Sequence, residues 1–524
     1  MDNPALHVAS TASKMLPLYV FDKQDYQRRS PYGFQRIGPH RAVFVKESVI
    51  ALRNRLREGR SDLIVRFGGL EEELVEGVRK VGEVVAKGNE GLGEGEGEER
   101  GRVVVVGTRE TGWEERVWER KVERVVEREG GVVVWVEGGR LCWIKEGWLG
   151  FRSGKGIVRA FTEYRKVVEA KAVLEDPLEV PELPPVPRVG GFAPVLEGLQ
   201  ELPLMGEDLG VQGMCEPHDH PFPDSRAVMP FLGGVEEAED RVDDWMWKLD
   251  MLKRYKELRN FSGDREVSSK LSPWLVHGCI SPRTVLSEIK KYEQKRTKNE
   301  STYWLVFELI TRDYFKWLAD HAGASLFAWN GFTRPNKPQF DLPRHTNVTD
   351  IDRDRLEAWI NGMTGSPFVD AAMREMKATG YMSNRCRQNV ASFLINDLKF
   401  PDWRAGAEYF ESALIDYDVA ANWGNWAYIA GKGSDPRGGR KFNIIKQARD
   451  YDPDAKFVKK WCPELWKIPY PATFEPYSLS KEDLKEYDVE LGKTYPQPIV
   501  KLDGWLRKKP ARSNGKRKEQ KSRK

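Results

Sequence analysis

The chain has 524 residues, 31% of them charged and 40% hydrophobic, which is too long for one typical core and calls for two or more globular domains. No run of 18 apolar residues occurs, which excludes a membrane-spanning helix. The net charge of +4 is unevenly placed: ten Lys/Arg and one Glu from Arg507 to Lys524 make a tail of +9 and leave about −5 elsewhere, so global charge gives no argument for DNA binding.

Five scattered cysteines (Cys142, Cys215, Cys279, Cys386, Cys462) form no CxxC, which fits a reducing compartment and offers no zinc site. The HDH at His218–His220 lies in a Pro-rich stretch without Cys partners and reads as a solvated loop, so no metal is expected.

The first third alternates β-rich apolar runs with amphipathic helical stretches. Strands are predicted at Leu16–Phe21, Leu63–Phe67, Val103–Gly107 and Val132–Val136, and helices near Val43–Arg57, Leu70–Val85 and Trp113–Arg128. This spacing means a parallel, helix-covered sheet. Gly88–Gly101 reads as a flexible low-complexity insertion on the surface. No glycine fingerprint opens a helix, so a dinucleotide-binding Rossmann site is not indicated.

From Asp176 to about Gly234 the chain is rich in Pro, Gly and acidic residues and reads as a connector. From Val235 to about Trp466 nearly everything reads helical: RVDDWMWKLDMLKRYKELRN, YWLVFELITRDYFKWLADHA and SPFVDAAMREMKATG space apolar residues by three and four. In the last, Ser366 is expected to cap a helix that starts at Pro367 and ends at Gly380. The domains are thus 1–175 (α/β), 176–234 (connector), 235–500 (all-α) and 501–524 (basic tail). The tail is too polar to pack and reads as a nuclear signal, a nucleic-acid arm or a solubilising terminus.

Three motifs carry chemistry. SSKLSPWLVHG clusters Ser268, Ser269 and Ser272 ahead of an apolar helix, where hydroxyls and free amides make an anion site or an ordinary cap. MSNRCRQNVASF (Met382–Phe393) and IDYDVAANWGNWAY (Ile415–Tyr428) set Arg, Asp and Asn among Trp residues, with FPDWRAGAEYF between them. Bulky aromatics beside such polar groups suit either a buried planar cofactor or a Trp-rich core with satisfied polar residues.

Together and in this order, these motifs resemble the photolyase/cryptochrome family. NRCRQNVASF, DYDVAANWGNW and RKFNIIKQARDYDPDAKFVKKWCPEL resemble its DASH branch. The resemblance is weak before Phe161, where FTEYRKVVEAK matches a family motif, and strong from Tyr255 to Leu465.

The resemblance implies a helical domain that binds FAD. It assigns cofactor contacts to Tyr255, Ser268, Ser269, Lys270, Leu271, Ser272, Arg312, Asn384, Arg387, Asp416, Asp418 and Asn422, with Arg387–Asp416 as an ion pair beside the isoalloxazine. Trp403 and Trp426 match two members of an electron path. A third falls at Thr349, with Trp329 or Trp359 as substitutes. Glu308 matches the acid that contacts a pyrimidine dimer, although it can also be read as an ion-pair partner of Arg312. Asn384, Arg385, Gln388, Thr311 and Tyr428 line the same cavity. Thr311 stands where the family has a stacking Trp, and Tyr428 and Gln388 where classical photolyases have Trp and Met. A weakened stacking clamp offsets base flipping poorly, which favours single-stranded substrate.

The implied function is light-driven splitting of cyclobutane pyrimidine dimers in single-stranded DNA by an electron from the excited flavin. A photoreceptor that signals without repair is the alternative, and a nucleic-acid-binding protein with a vestigial flavin pocket is a third reading. A monomer is expected, with RNA as an alternative partner. Methenyltetrahydrofolate is the antenna usual in this branch, and Glu110 matches its contact loosely. Against the family pattern, the opening MDNPALH leaves no residues for the first strand of the sheet. An unpaired interior edge and the loss of any targeting peptide are therefore expected, and the nucleus, the cytoplasm or an organelle all remain open as locations.

Overall fold

In the computed structural model, residues 2–89, 102–139, 161–172, 174–184, 186, 224–332, 348–433 and 439–502 are described. The four β-rich runs form strands β1 (Leu18–Asp22), β2 (Ile64–Gly68), β3 (Val104–Arg109) and β4 (Val132–Glu137). β1 pairs with β2 in parallel, Leu18 opposite Ile64 through Asp22 opposite Gly68. β3 pairs with β4 in parallel, Val104 opposite Val132 through Arg109 opposite Glu137. The single sheet expected from the sequence is thus two small parallel sheets, with no strand pairing between them among the described residues. Helices Pro39–Glu58, Leu70–Asn89 and Trp113–Arg128 separate the strands as the apolar spacing requires. The helix Pro4–Ala9, capped by the Asn3 side chain, packs on β3 and β4.

From Val235 onward the described structure is helical. One continuous core fills this part, with Trp245, Trp274, Trp359 and Trp461 fully buried. The helix Pro367–Thr379 ends as expected at Gly380, whose φ of +67° suits a residue without Cβ. Its start differs from the expected cap. Ser366 makes no side-chain capping bond; Asp370 instead accepts from the Thr364 and Gly365 amides, the Thr364 hydroxyl and Tyr495. A carboxylate reaching back from within the helix takes more donors than a serine can.

The two parts are locked by a charged interface under the motif at 415–428. Arg41 is buried, donates to the carbonyls of Glu411, Leu414 and Arg36, and lies 4.9 Å over the Tyr417 ring. Arg36 pairs with Glu411 and with Glu114, both at 2.7 Å. The Gly38 amide bonds the Ser412 carbonyl, and a Cβ at Gly38 would lie 2.3 Å from that oxygen. Glu115 reaches this interface next to Val419, with its Oε2 buried and unbonded among the described residues.

Burial, with help from Glu110 and Glu114, pushes the Glu115 carboxyl from 4.5 up to about 7. The folded protein therefore keeps a proton that the unfolded chain releases, and stability from this group falls as pH rises from about 4.5 to about 7. Glu115→Gln should flatten that fall, which is on the order of 3 kcal/mol. Denaturant midpoints of both proteins at pH 5 and pH 8 test this, and parallel pH curves would refute it.

Candidate functional site

Three segments of the helical part meet at Asp416. The first is the loop Val267–Leu271. Lys270 has φ +54° and Leu271 is right-handed at φ −78°, ψ −6°. This left-then-right pair turns successive amides to one side, which makes a concave anion nest. The amides of Lys270, Leu271 and Ser272 donate to no backbone or side-chain acceptor among the described residues. The Lys270 side chain turns away from the nest and is buried, donating to the Asp264 carbonyl and the Ser268 hydroxyl. Burial pulls its pKa down to about 7. Ser272 does not cap its helix; its hydroxyl donates to Asp416 at 2.6 Å.

The second segment is the helix Asn384–Ser392 and the third is Asp416–Ile429. Arg387 donates through one nitrogen to both Asp416 oxygens at 2.9 Å and through Nε to the Met382 carbonyl. Burial works against the Arg387 charge, but Asp416 carries its pKa above the ordinary value. Asp418 caps the helix Val419–Ile429 by accepting from the Ala421 amide. Burial opposes its charge, yet Lys316 and Arg312 hold it below the usual carboxylate range. Asn422 donates from Nδ2 to the Ala407 carbonyl. Asn384, at the start of its helix, is exposed. Tyr255 is buried near Arg259 and Glu308, and burial raises its phenol.

Arg312 does not pair with Glu308. It donates to the carbonyls of Gly139 and Leu275, bridging the α/β part to the helical part. The partner of Glu308 is Arg259. Burial raises the Glu308 pKa and Arg259 draws it back. Thr311, about one turn on, is half-buried and bonds its own helix at the Phe307 carbonyl.

Sequence reasoning named Arg385, Gln388 and Tyr428 but passed over Lys256, Arg259, Asn260, Trp304, Arg440 and Tyr451. Arg259 and Lys256 each lie 5.1 Å over the Trp304 ring. Arg385 lies 4.8 Å over Tyr451 and Arg440 lies 5.0 Å over Tyr428. Arg385 bonds the neutral amides of Asn260 and Gln388, at 2.8 and 2.9 Å. Burial lowers its pKa first, Tyr451 opposes this, and the positive charges of Arg259 and Arg440 lower it further, so the three guanidiniums share one field. The spacing of Arg259 four residues after Tyr255 was a usable signal, because such residues share a helical face. Arg440 opens the motif RKFNIIKQARDYDPDAKFVKKWCPEL, but nothing in that motif pointed to a contact with Tyr428.

The two tryptophans matched to an electron path pack on different rings. Trp426 packs on Phe410 and Trp359, with ring centres 5.1 and 6.2 Å apart. Trp403 packs on Trp423 at 5.8 Å, and its indole N–H donates to the Trp329 carbonyl. Thr349 is the cap of the helix Asp350–Ile360. Glu110 is exposed, and its amide donates to Glu119. Cys142, Cys215, the 218–220 motif, residues 90–101 of the low-complexity stretch and the tail from 503 lie outside the described residues. No group of three His, Cys, Asp or Glu that could hold a metal occurs among the described residues.

Comparison with known proteins shows which family carries this arrangement. Residues 304–512 match the family model for the FAD binding domain of DNA photolyase, and residues 1–89 match that for DNA photolyase. A cryptochrome DASH of Gloeobacter violaceus is 41% identical over 94% of this chain and 88% of its own length. One of Danio rerio is 38% identical over 98% of this chain and 90% of its own. The chain belongs to the photolyase/cryptochrome family, in its cryptochrome DASH branch. The solved structure of the Synechocystis cryptochrome superposes with a TM-score of 0.77 at 35% identity, covering 95% of this chain and 94% of that one. A class III photolyase of Agrobacterium tumefaciens gives 0.73 at 27% identity, covering 95% and 92%.

The residues present fit FAD. The nest of unbonded amides would suit a diphosphate, and the Arg387 guanidinium would suit a planar anionic ring. Asn422 supplies an amide that can donate or accept. Among the described residues no helix is long and apolar enough to cross a membrane.

Proposed function

We propose that this DASH protein repairs cyclobutane pyrimidine dimers in single-stranded DNA under blue light, acting as a monomer. The observation that supports this most is a set of aromatic–guanidinium pairs that begins at Arg259, the partner of Glu308: Trp304 with Arg259, Tyr451 with Arg385, and Tyr428 with Arg440. Alternating rings and cations suit a single strand, whose bases stack while its phosphates are neutralised. The bound flavin supplies light-driven one-electron chemistry. Glu308 supplies a hydrogen bond to the pyrimidine carbonyl as negative charge develops there. A phosphate that draws Arg259 away would remove the charge that lowers the Glu308 pKa, which favours the protonated carboxyl that can donate this hydrogen bond.

The test is light-dependent loss of dimers from matched single-stranded and duplex oligonucleotides. A photoreceptor without repair is the second reading, favoured by Thr311 at the stacking position. Neutralisation of a strand phosphate by Arg385 has its own readout. Arg385→Gln should make the plot of log affinity for a single strand against log salt shallower by about 0.7, the slope that one neutralised phosphate contributes. An unchanged slope would place Arg385 off the strand.

A further inference from the structure

Behind the anion nest lies a residue that no motif singled out. Arg241, near the end of the helix Val235–Val242, has a side chain only 1% exposed. Its Nε donates to the Ser269 carbonyl at 2.9 Å. Its Nη2 donates to the carbonyls of Arg265 at 3.0 Å and Ser268 at 2.9 Å. Asp244 approaches Nη1 only to 3.9 Å and makes its hydrogen bond to Arg265 instead. One guanidinium therefore spends its bonded donors on three carbonyls of a single loop.

The consequence follows from peptide geometry. A trans peptide points its C=O and its N–H in opposite directions. With the Ser268 and Ser269 carbonyls held on the Arg241 side, the amides of Ser269 and Lys270 face the other way. The left-handed Lys270 then continues the turn into the amides of Leu271 and Ser272. Unsupported, a loop with three carbonyls turned inward would bury acceptors without donors, at a cost that favours a flipped conformation.

We propose that Arg241 is a positioning residue for the flavin's diphosphate: by holding the carbonyls of Arg265, Ser268 and Ser269 from behind, it presents the amides of Ser269–Ser272 to the anion. It touches the loop and leaves the anion to the amides. Burial draws its pKa down to about 10, so the guanidinium stays charged at neutral pH.

The experiment compares wild type, Arg241→Met and Arg241→Lys, each stripped of flavin and then titrated with FAD, with melting temperatures taken before and after. Arg241→Met should weaken FAD binding by about 10- to 100-fold while its flavin-free melting temperature stays near that of the flavin-free wild type. Arg241→Lys, which can hold some of the carbonyls, should recover part of the affinity. Unchanged FAD affinity in Arg241→Met would overturn the proposal. So would a flavin-free melting temperature that falls as far as the flavin-bound one, since Arg241 would then be a brace of the fold. Should Arg241→Met fail to fold, Arg241→Lys decides: a folded protein with weaker FAD binding supports the proposal, and one with wild-type affinity overturns it.

Discussion

Asp416→Asn should yield a protein that loses its yellow colour on gel filtration, with FAD affinity reduced by about 100-fold or more. Asp416 is 7% exposed and accepts from Arg387 through both oxygens and from the Ser272 hydroxyl at the nest's edge. The carboxylate therefore joins the Arg387 guanidinium to the edge of the amide nest. Its replacement by a neutral amide leaves Arg387 charged in a desolvated site, where removing one partner of an ion pair costs about 3–5 kcal/mol. Replacing both partners, as Arg387→Met with Asp416→Leu, should restore much of the thermal stability because no lone charge remains, while flavin stays lost. The ratio of absorbance at 450 to that at 280 nm, with melting curves, separates the two effects. A yellow, stoichiometrically loaded Asp416→Asn protein would sink this account of the site.

How much of this was legible beforehand depends on the kind of order each residue obeys. The strands fell within two residues of their expected positions, and the helix Trp113–Arg128 fell on its expected bounds, because apolar periodicity reflects burial directly. That the sheet divides into two pairs was not legible, since alternation along a strand says nothing of its neighbours. The Arg387–Asp416 pair was legible through the resemblance. The partner of Glu308 was not: Arg312 is four residues away on the same helix, the separation at which side chains meet, yet its guanidinium reaches across to two carbonyls. Arg259 comes from 49 positions upstream, a pairing that only tertiary structure defines. Arg241 was invisible for a related reason. It acts on backbone carbonyls, and any sequence offers those at every position.

The tryptophans teach a similar lesson about spacing. Trp403 and Trp426 occupy the expected motif positions, but Trp423, a turn before Trp426, is the ring that meets Trp403. A motif fixes which residues occur, whereas the rotamers and helix packing decide which rings touch. The nest is different again. Its signal was three serines, read as hydroxyls together with the free amides of a helix N-terminus. The donors that stand unbonded are amides, created by the left-handed turn at Lys270.

Thr311→Trp should tighten binding of a dimer in single-stranded DNA by about tenfold, since aromatic stacking on a base contributes about 1–3 kcal/mol. Thr311 is half-buried on the Glu308 face of the helix Glu300–Ala322, and its hydroxyl is turned back onto the Phe307 carbonyl. It therefore offers the strand no plane to stack on, and Tyr428 is left as the one wall at the family's stacking positions. Extrusion of a dimer from a duplex costs a few kcal/mol, so wild type should repair single strands faster than duplex, and Thr311→Trp should narrow that gap. Glu308→Ala is the control on chemistry. It should slow splitting without releasing FAD, because Arg387, Asp416 and the nest do not touch it, and Tyr255, which lies near it, is held in the core. It also leaves Arg259 without its carboxylate and freer to meet phosphate, so strand affinity should hold or rise while the rate falls. Rates on matched oligonucleotides under blue light, with affinities measured in the dark, separate these effects. Equal wild-type rates on single-stranded and duplex substrates would end the substrate claim. No repair of either by wild type or by Thr311→Trp would make the photoreceptor reading the better one, because a restored wall would then have had nothing to act on.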